Sequence, residues 1–331
     1  MRRLTGEGVV RSLSGLSRLL LDLHRGAAEV DAPAFQDFAL ARLEADIPFD
    51  SAMWASGAGT SEGPVFHGVF LRRQPLQMIA DYEPLKEHDA LFAEALAKPG
   101  RSLRATGTRD LPRLFQPYLK RYGLAHALCT MTVEAPSALV TGISLYRAGR
   151  RQAFTAEEAQ FMEAVFPHLV QTDHASKFTH LLQESRVELG WRGASAICDA
   201  KGMLRYVNDR FGAAVQREWA GWKGPWLPQP LLSLIMAPGG SDLVGRSSVA
   251  RAVPLGELWM VRLRPRQAVD ELPPRMRQVA ALAAEGRSHK EIASEMGISP
   301  ATVRNQLAEI YRRLTVRNRA TLADRMRYAT I

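Results

Sequence analysis

The stretch HKEIASEMGISPATVRNQLAEIYRRL, residues 289–314, contains two helical patterns separated by a short turn. Ser288 stands before the first pattern and Glu291 follows three residues later, a pair that caps the N-terminus of a helix from both sides. Gly297 can adopt the left-handed conformation that ends a helix. Ser299 then caps the second pattern, whose first residue is a proline, and proline at that position loses no hydrogen bond. These residues predict two helices joined by a three-residue turn.

The second helix has two faces of different chemistry. Its apolar side chains fall within about a quarter of the helical wheel, at about 100° per residue. They are Val303, Leu307, Ile310, Tyr311 and Leu314. With that side against a core, Asn305 points outward, and Thr302 and Arg304 lie on its flanks. Because Asn and Arg pair with base edges in the DNA major groove, the pattern indicates a DNA-reading helix. The alternative is a helical hairpin that binds no DNA, or one that docks on RNA polymerase.

Two further helices flank this pair. PRMRQVAALAAEG, residues 274–286, keeps apolar residues on one side and ends in glycine, and RATLADRMRY, residues 319–328, follows a capping residue, Asn318. The stretch RPRQAVDELPP, residues 264–274, predicts a linker before these helices. We therefore expect residues 266–331 to form an all-α four-helix helix-turn-helix domain.

Positive charge is concentrated at the C-terminus. The chain has 43 Lys plus Arg against 34 Asp plus Glu, a net charge of +9. Residues 266–331 hold twelve of these basic residues and seven of the acidic ones, so one fifth of the chain carries +5 of the total. An excess of this kind favours an anionic partner, and the helical pattern points to double-stranded DNA.

The length and the apolar content bound the class of protein. At 331 residues, two or three domains of roughly 100 to 150 residues are expected. The longest apolar runs are shorter than the roughly 18 to 20 residues that span a bilayer, so we expect no membrane partner. The N-terminal stretch lacks a small-residue cleavage site and predicts a helix. Cys129 and Cys198 lie far apart on predicted strands, which fits two core thiols in a reducing cytoplasm.

Two α+β segments precede the C-terminal helices. Residues 30–170 alternate short strands with helices and end in a long helix that Thr155 and Glu158 cap. Residues 191–265 open with two strands around an Asp-Ala-Lys-Gly turn, continue into a helix predicted to begin at Asn208, and close in a hairpin. Helices beside short antiparallel sheets define an α+β class.

Residues 272–322, LPPRMRQVAALAAEGRSHKEIASEMGISPATVRNQLAEIYRRLTVRNRATL, resemble the LuxR-type helix-turn-helix domain of bacterial transcription regulators. The resemblance includes the signatures E-G-x-S-x-K-E-I-A and I-S-x-x-T-V-x-N without gaps. It implies that Thr302, Arg304 and Asn305 face the DNA. It also implies cationic contacts with phosphates and a dimer contact through the last helix. The expected phosphate-binding residues are Lys290, Arg312, Arg313 and Arg317, and the expected dimer residues are Ala320, Ala323 and Met326.

Two positions depart from the family pattern. Met276 replaces the usual Glu of the first helix, which removes a polar contact. Gln306 replaces a frequent His on the recognition helix, and its amide remains able to read adenine. We include Gln306 among the expected DNA-binding residues. Because it differs from the frequent His, the family pattern does not predict the operator sequence.

The upstream segments resemble two sensory folds. AICDAKGMLRYVNDRF, residues 196–211, is similar to the opening of a PAS domain. YEPLKEHDALF and FTAEEAQFMEAVFPHL lie in a segment whose order of elements is similar to that of GAF-like sensory domains. Another small α+β fold is the alternative for the PAS-like segment. The expected organisation is a GAF-like domain with an N-terminal helix, a helical connector, a PAS-like module and the helix-turn-helix domain, at residues 1–175, 176–190, 191–265 and 266–331.

A ligand site in the first segment is suggested by DYEPLKEHDALF, residues 81–92. This stretch resembles the Tyr and Asp motif with which acyl-homoserine lactone receptors of the same family hold their ligand, Tyr82 and Asp89 being the candidates. The upstream Trp of that motif is missing, and Trp54 is a further candidate. The alternative is that Tyr82 packs and Asp89 caps a helix. Aromatic residues that either line a pocket or fill a core are Trp54, Phe66, Phe70, Phe115 and Tyr146.

Signatures of enzymes, metal sites and cofactors are absent from the sequence. It has no phosphate-cradling G-x-x-x-x-G-K-[ST]. His168, His174 and His180 advance by about 240° each along a helix and so lie on three faces. A phosphoacceptor receiver pattern is also missing. We therefore expect a protein that is not an enzyme, holds no metal or cofactor, and is controlled by a ligand or a partner.

These observations predict a cytoplasmic, dimeric DNA-binding transcription regulator whose sensory domains respond to a small-molecule or protein signal. Two alternatives stay open. One is an acyl-homoserine lactone receptor, which needs Asp89 to meet a ligand amide in a closed pocket. The other is an interaction protein whose C-terminal helices bind a protein instead of DNA.

Overall fold

The structure is a computed structural model that describes residues 6–60, 63–149, 151–184, 193–237 and 242–329. Of the predicted connector, residues 176–190, the part from residue 185 onward lies outside the described residues. Contacts within the chain define two compact units. The first comprises Met1–Gly190, Met203–Tyr206 and Lys223–Leu227, and the second Trp191–Gly202, Val207–Trp222 and Pro228–Ile331. The domain boundaries expected from the sequence stay a prediction.

The N-terminal α+β region contains one five-stranded sheet, in the order β2-β1-β5-β4-β3, with antiparallel neighbours. Its strands are β1 Ser51–Thr60, β2 Gly63–Arg72, β3 Ser102–Thr106, β4 His126–Glu134 and β5 Leu139–Arg147. Its helices are α1 Gly6–Glu29, α2 Ala32–Leu43, α3 Gln77–Tyr82, α4 Ala90–Ala97, α5 Gly107–Asp110, α6 Gln116–Tyr122 and α7 Ala156–Glu184.

The two faces of this sheet do different things because successive side chains of a strand point to opposite sides. Trp54, Ile143 and Leu128 belong to one face and pack in a core with residues of α1, α2 and α7. The neighbouring positions Met53 and Ser144 belong to the other face, where they line a cavity. The sheet thus has a packed core on one face and a cavity on the other.

Helix α7 begins as the sequence predicts. The Thr155 hydroxyl accepts a hydrogen bond from the Glu158 N–H at 3.1 Å, and the Glu158 carboxylate accepts one from the Thr155 N–H at 2.8 Å. The same carboxylate pairs with the buried Arg147 of β5 at 2.6 Å, which ties the start of α7 to the sheet. Neither α7 nor any other described helix is long and apolar enough to cross a bilayer.

A second five-stranded sheet has the order β7-β6-β10-β9-β8. Its elements are β6 Ala194–Asp199, β7 Leu204–Val207, α8 Phe211–Glu218, α9 Gln229–Met236, β8 Leu243–Val244, β9 Ser248–Leu255 and β10 Leu258–Pro265. Counted within each sheet, both have the strand order second, first, fifth, fourth, third. The predicted α+β class is therefore confirmed for both segments. The assignment of the second to the PAS fold stays a prediction.

The helix after β7 begins later than predicted. It starts at Phe211, not at Asn208. The Asn208 side chain accepts from the Ser195 N–H at 3.1 Å and donates to the Gly193 carbonyl at 2.8 Å. These bonds hold the start of β6, and Asn208 Oδ1 also accepts from the Arg210 N–H at 3.3 Å in the turn before α8, whose N-cap residue is Arg210.

The C-terminal helices are α10 Pro274–Ala284, α11 His289–Met296, α12 Pro300–Leu314 and α13 Arg319–Ala329. They share one apolar core. Its fully buried members on these helices include Val279, Ala280, Ala283, Ile292, Val303, Ile310 and Leu322. The predicted four-helix domain is confirmed.

The segment predicted as a linker is ordered and joins the C-terminal core. Residues Ala268–Glu271 form a short 3₁₀ helix, here called the connecting 3₁₀ helix. Val269 and Leu272 are buried in the same core as α10–α13. Asp270 accepts two hydrogen bonds from Arg264 at the end of β10, at 2.6 and 2.7 Å, with both side chains buried. The prediction of a linker was wrong because charged residues in this stretch pair with each other and let the apolar ones pack.

Candidate nucleic-acid interface and ligand cavity

The turn between α11 and α12 is held by the caps that the sequence predicts. The Ser288 hydroxyl accepts from the Glu291 N–H at 3.3 Å, and the Glu291 carboxylate accepts from the Ser288 N–H at 2.6 Å. The latter bond also lowers the pKa of Glu291. Gly297 ends α11 with φ 65°, where a side chain would be strained. The Ser299 hydroxyl then accepts from the Thr302 N–H at 3.1 Å. Both predicted caps and the three-residue turn are confirmed.

Helix α12 is anchored by one face. Val303, Leu307, Ile310 and Leu314 are buried, whereas Tyr311 is half-buried. Because the buried side chains follow one stripe, the orientation of α12 in its domain is determined and the opposite face is presented to the outside.

Thr302, Arg304 and Asn305 are all exposed on or beside that outward face. The Thr302 hydroxyl shares a hydrogen bond of 2.8 Å with Ser299, so part of its hydrogen-bonding capacity is used within the turn. Arg304 and Asn305 have no hydrogen bond or ion pair with any other residue that the structure describes. Their donors and acceptors are available to base edges.

The cationic side chains expected at phosphates are also exposed: Lys290, Arg312, Arg313 and Arg317. Two of them are held by a residue that the sequence reasoning missed. The Glu309 carboxylate accepts from Arg312 at 2.6 and 2.8 Å and from Arg313 at 2.7 Å. These bonds, that with Arg312 first, lower the pKa of Glu309 to about 2, so it stays ionised. The spacing of three and four residues from Glu309 to the arginines was the available signal.

Gln306 is less accessible than its neighbours. It is half-buried, and its Oε1 atom is enclosed with no hydrogen-bond partner among the described residues. A base contact by Gln306 therefore requires its side chain to rotate outward.

The three residues expected at a dimer contact differ in exposure. Ala320 is exposed, Ala323 is half-buried, and Met326 packs partly against the core of its own domain. The surface of α13 expected to contact a second copy therefore has small, accessible side chains at its N-terminal end. At its C-terminal end, only part of the Met326 side chain is exposed.

A cavity of about 80 Å³ lies on the sheet face opposite the α1, α2 and α7 core. Its walls come from the segments around α3–α6, and they include Tyr82, Asp89, Phe115 and Tyr118. The sheet contributes Met53, Ala105, Ala127, Cys129, Ser144 and Tyr146. The lining is largely apolar and contains no Lys or Arg from the described part of the chain. A space of this kind suits a small neutral molecule.

Tyr82 and Asp89 face each other at this cavity. The Tyr82 hydroxyl donates to Asp89 Oδ2 at 2.8 Å, and Asp89 Oδ1 accepts from the Phe92 N–H at 2.9 Å, which caps α4. Burial, and then the Asp89 charge, raises the pKa of Tyr82 well above its ordinary value, so the phenol keeps its proton. Asp89 is thus a helix cap and a cavity residue at once. Both of its carboxylate oxygens already accept a hydrogen bond.

The other aromatic candidates divide between cavity and core. Phe115 and Tyr146 line the cavity. Trp54 does not, because it points from β1 to the opposite sheet face and is fully buried in the helical core. Phe70 packs against that same core, and Phe66 stacks edge-on with Phe92 at 5.9 Å. Trp54 and Phe70 lie on the core side of their strands, whereas Tyr146 lies on the cavity side of β5 and Phe115 reaches the cavity from the segment just before α6.

Residues 270–326 match the family described as bacterial regulatory proteins, luxR family (GerE). The transcriptional regulatory protein UhpA of Salmonella typhimurium is 47% identical over 57 residues, which cover 17% of this chain and 29% of UhpA. The chain spans less than a third of the length of the curated relatives that it matches.

Two solved structures are similar over longer stretches. The N-acylhomoserine lactone dependent LuxR family transcription factor CepR2 of Burkholderia cenocepacia is 14% identical, with a TM-score of 0.38, over 51% of this chain and 98% of that one. SdiA of Escherichia coli is 12% identical, with a TM-score of 0.36, over 96% and 97%.

Proposed function

We propose that this chain, whose residues 270–326 form a domain of the luxR family of bacterial regulatory proteins, is a transcription regulator that binds double-stranded DNA through α12. The observation that carries the proposal is the division of α12: one face is buried, and the outward side presents the unpaired Arg304 and Asn305. These side-chain types read base edges in a major groove. Action on chromosomal DNA would be cytoplasmic, and the absence of enzymatic activity stays a prediction.

The proposed mode of binding is supported by the arrangement of the helix pair. Helix α12 enters the major groove, with Arg304 and Asn305 at the bases and Thr302 at the groove edge. Lys290 on α11 and Arg317 after α12 neutralise flanking phosphates, which positions the protein without specifying sequence. If the chain activates transcription, RNA polymerase is a further proposed partner.

A dimer would read two half-sites. Ala320, Ala323 and the exposed part of Met326 on α13 form the proposed contact, because small side chains let two helices approach closely. Two copies of α12 would then meet half-sites about 34 Å apart, one turn of DNA. A signal received upstream would change that spacing and so the affinity.

The test is selection by the full chain from a pool of random-sequence DNA duplexes, followed by footprinting. We expect enrichment of a sequence with two related half-sites whose centres lie about one helical turn apart, roughly 34 Å. A pool that shows no enrichment over input DNA would contradict the proposal. The enriched sequence is called the selected duplex below.

We also propose that the cavity beside Tyr82 and Asp89 receives the signal. The supporting observation is that a largely apolar cavity carries a polar pair at its wall. An acyl-homoserine lactone, the alternative from the sequence, has an amide N–H that would need Asp89 as acceptor. Asp89 already accepts one hydrogen bond on each oxygen, from Tyr82 and from Phe92, and each oxygen can accept a second, so that ligand would share Asp89 with them.

Mass spectrometry of small molecules retained by the purified full chain tests the cavity. We expect a neutral, mostly apolar compound in the wild type and less of it in Tyr146→Trp, which fills the space. Tyr206→Trp, outside the cavity, is the control. Equal retention by both variants and the wild type would place the compound elsewhere, and an empty wild type would favour a protein signal.

A further inference from the structure

Glu309 lies on the side of α12 that faces away from the core. It follows Asn305 by four residues, so the two side chains are about 40° apart on the helix, one turn from each other. Arg312 follows three residues later and is about 60° away, on the same side of Glu309 as Asn305. Along the helix axis, a carboxylate therefore stands between the base-reading Asn305 and the first phosphate-binding arginine.

This carboxylate is bound to both arginines that end the helix. It accepts two hydrogen bonds from Arg312 and one from Arg313, at 2.6 to 2.8 Å. Arg312 and Arg313 are 72% and 44% exposed, so a phosphate can reach either of them. Glu309 thus reduces the net charge of this turn from +2 to +1, and the arginines are shared between Glu309 and any phosphate.

An ionised carboxylate on a DNA-facing surface has few favourable partners. It is repelled by phosphates and by base acceptors, whereas the exocyclic amine of cytosine can donate to it. A sequence that offers such a donor offsets the cost of bringing Glu309 close to DNA. DNA sequences without such a donor leave that cost without compensation. Repulsion of this kind discriminates by weakening the wrong complex.

We propose that Glu309 is a specificity-determining residue, which lowers affinity for non-cognate DNA more than for the operator by opposing phosphate and by retaining Arg312 and Arg313. The proposal rests on the proposed function, since it assumes that α12 binds DNA. The other residues proposed to contact DNA on α12 attract it, whereas Glu309 repels the phosphates.

The experiment compares two probes, the selected duplex and a duplex of the same base composition in scrambled order, with the full chain. In Glu309→Gln, we expect affinity for the scrambled duplex to rise about fivefold or more, because the freed arginines release additional counterions. Affinity for the selected duplex should rise less or fall, so the ratio of the two affinities drops. Glu309→Asp keeps the charge and should restore a ratio near that of the wild type.

Glu285→Gln is the matched control, because it removes the same charge from an exposed position at the end of α10. If affinity for the scrambled duplex rose equally in both Gln variants, the change in net charge alone would explain the effect, and this result would overturn the proposal. So would a loss of affinity for both duplexes in equal proportion, which would give Glu309 a purely structural role. A wild type that selects no duplex would instead refute the proposed function.

Discussion

Individual side chains on α12 have separable tasks. Val303 and Ile310 are fully buried and hold the helix to its domain, whereas Arg304 and Asn305 are exposed and unpaired among the described residues. Substitution of Val303 or Ile310 should therefore destabilise the fold, whereas substitution of Arg304 or Asn305 should leave it intact. Residues that bind DNA can be tested without confusing binding with stability.

Replacing Arg304 or Asn305 by Ala should weaken binding to the selected duplex by about 1 to 3 kcal/mol each. The physical reason is the loss of hydrogen bonds to base edges, and melting temperatures should stay near that of the wild type. Arg325→Ala, an exposed arginine on α13, is the control for the loss of one positive charge. Unchanged specific binding in both variants would mean that the reading face is assigned wrongly.

Both cysteines should be unreactive in the folded protein. Burial raises the pKa of Cys129 to about 11 and that of Cys198 to about 12. Since the thiolate is the nucleophile, few molecules are reactive at neutral pH. Maleimide labelling followed by mass spectrometry should show no label on the native chain and two labels after denaturation in urea. Rapid native labelling at Cys129 would instead show that the cavity opens to reagents.

Among the secondary-structure elements, the connecting 3₁₀ helix is part of the C-terminal helical domain. Its Val269 contributes to the core of α10–α13. Arg277 of α10 donates to the Asp270 and Leu272 carbonyls at 2.8 and 3.2 Å, which fixes the segment from the other side. Together with the Arg264–Asp270 pair, these bonds leave little freedom between β10 and α10.

Asp270→Asn should destabilise the second unit by about 3 to 5 kcal/mol, because it leaves the buried Arg264 without its counter-charge. Glu271→Gln, at the neighbouring exposed position, should change stability little. Urea unfolding of the full chain, followed by a signal from the second unit, measures both. Equal midpoints for the two variants would show that the buried pair does not stabilise the fold.

The same pair predicts a pH dependence. Burial raises the pKa of Asp270, but the bonds from Arg264 and from the Gln267 N–H outweigh it, and the net effect is a lowered pKa. A lowered folded-state pKa stabilises the fold above the ordinary carboxyl pKa, and that stability is lost as pH falls through the folded-state value. Urea midpoints should therefore fall in acid for the wild type and less so for Asp270→Asn.

For the whole molecule, the distribution of charge distinguishes DNA binding from protein binding. The net charge of +9 is concentrated in the C-terminal fifth, where Lys290, Arg313 and Arg317 are exposed. If each contacts one phosphate in both copies of a dimer, about six counterions are released. An interaction through an apolar protein surface would release none.

Affinity for the selected duplex should therefore fall about a thousandfold between 50 and 200 mM salt. Filter binding over that range gives the slope, and Lys290→Gln should reduce its magnitude by about one for each copy bound. Glu295→Gln, which leaves the cations in place, is a control that should not reduce it. A flat dependence on salt would favour the interaction-protein alternative.

Much of the C-terminal domain could be predicted because its signals are local. A cap such as Ser288 with Glu291, a left-handed Gly297 and a buried stripe on α12 act within a few residues of each other, so they are visible in the sequence. The same holds for the cap of α7 and for the strands. Asn208 misled because its partners, Gly193 and Ser195, lie in another strand.

Contacts between residues distant in sequence, and the face of the sheet to which a side chain points, depend on the tertiary structure. Trp54 and Met53 are neighbours in sequence, yet one lies in the helical core and the other at the cavity, because the sheet has two faces. Likewise, the stretch around Asp270 is charged and proline-rich in sequence, and becomes core only because Arg264 neutralises Asp270 there. Local propensities are encoded residue by residue, whereas burial depends on which elements meet.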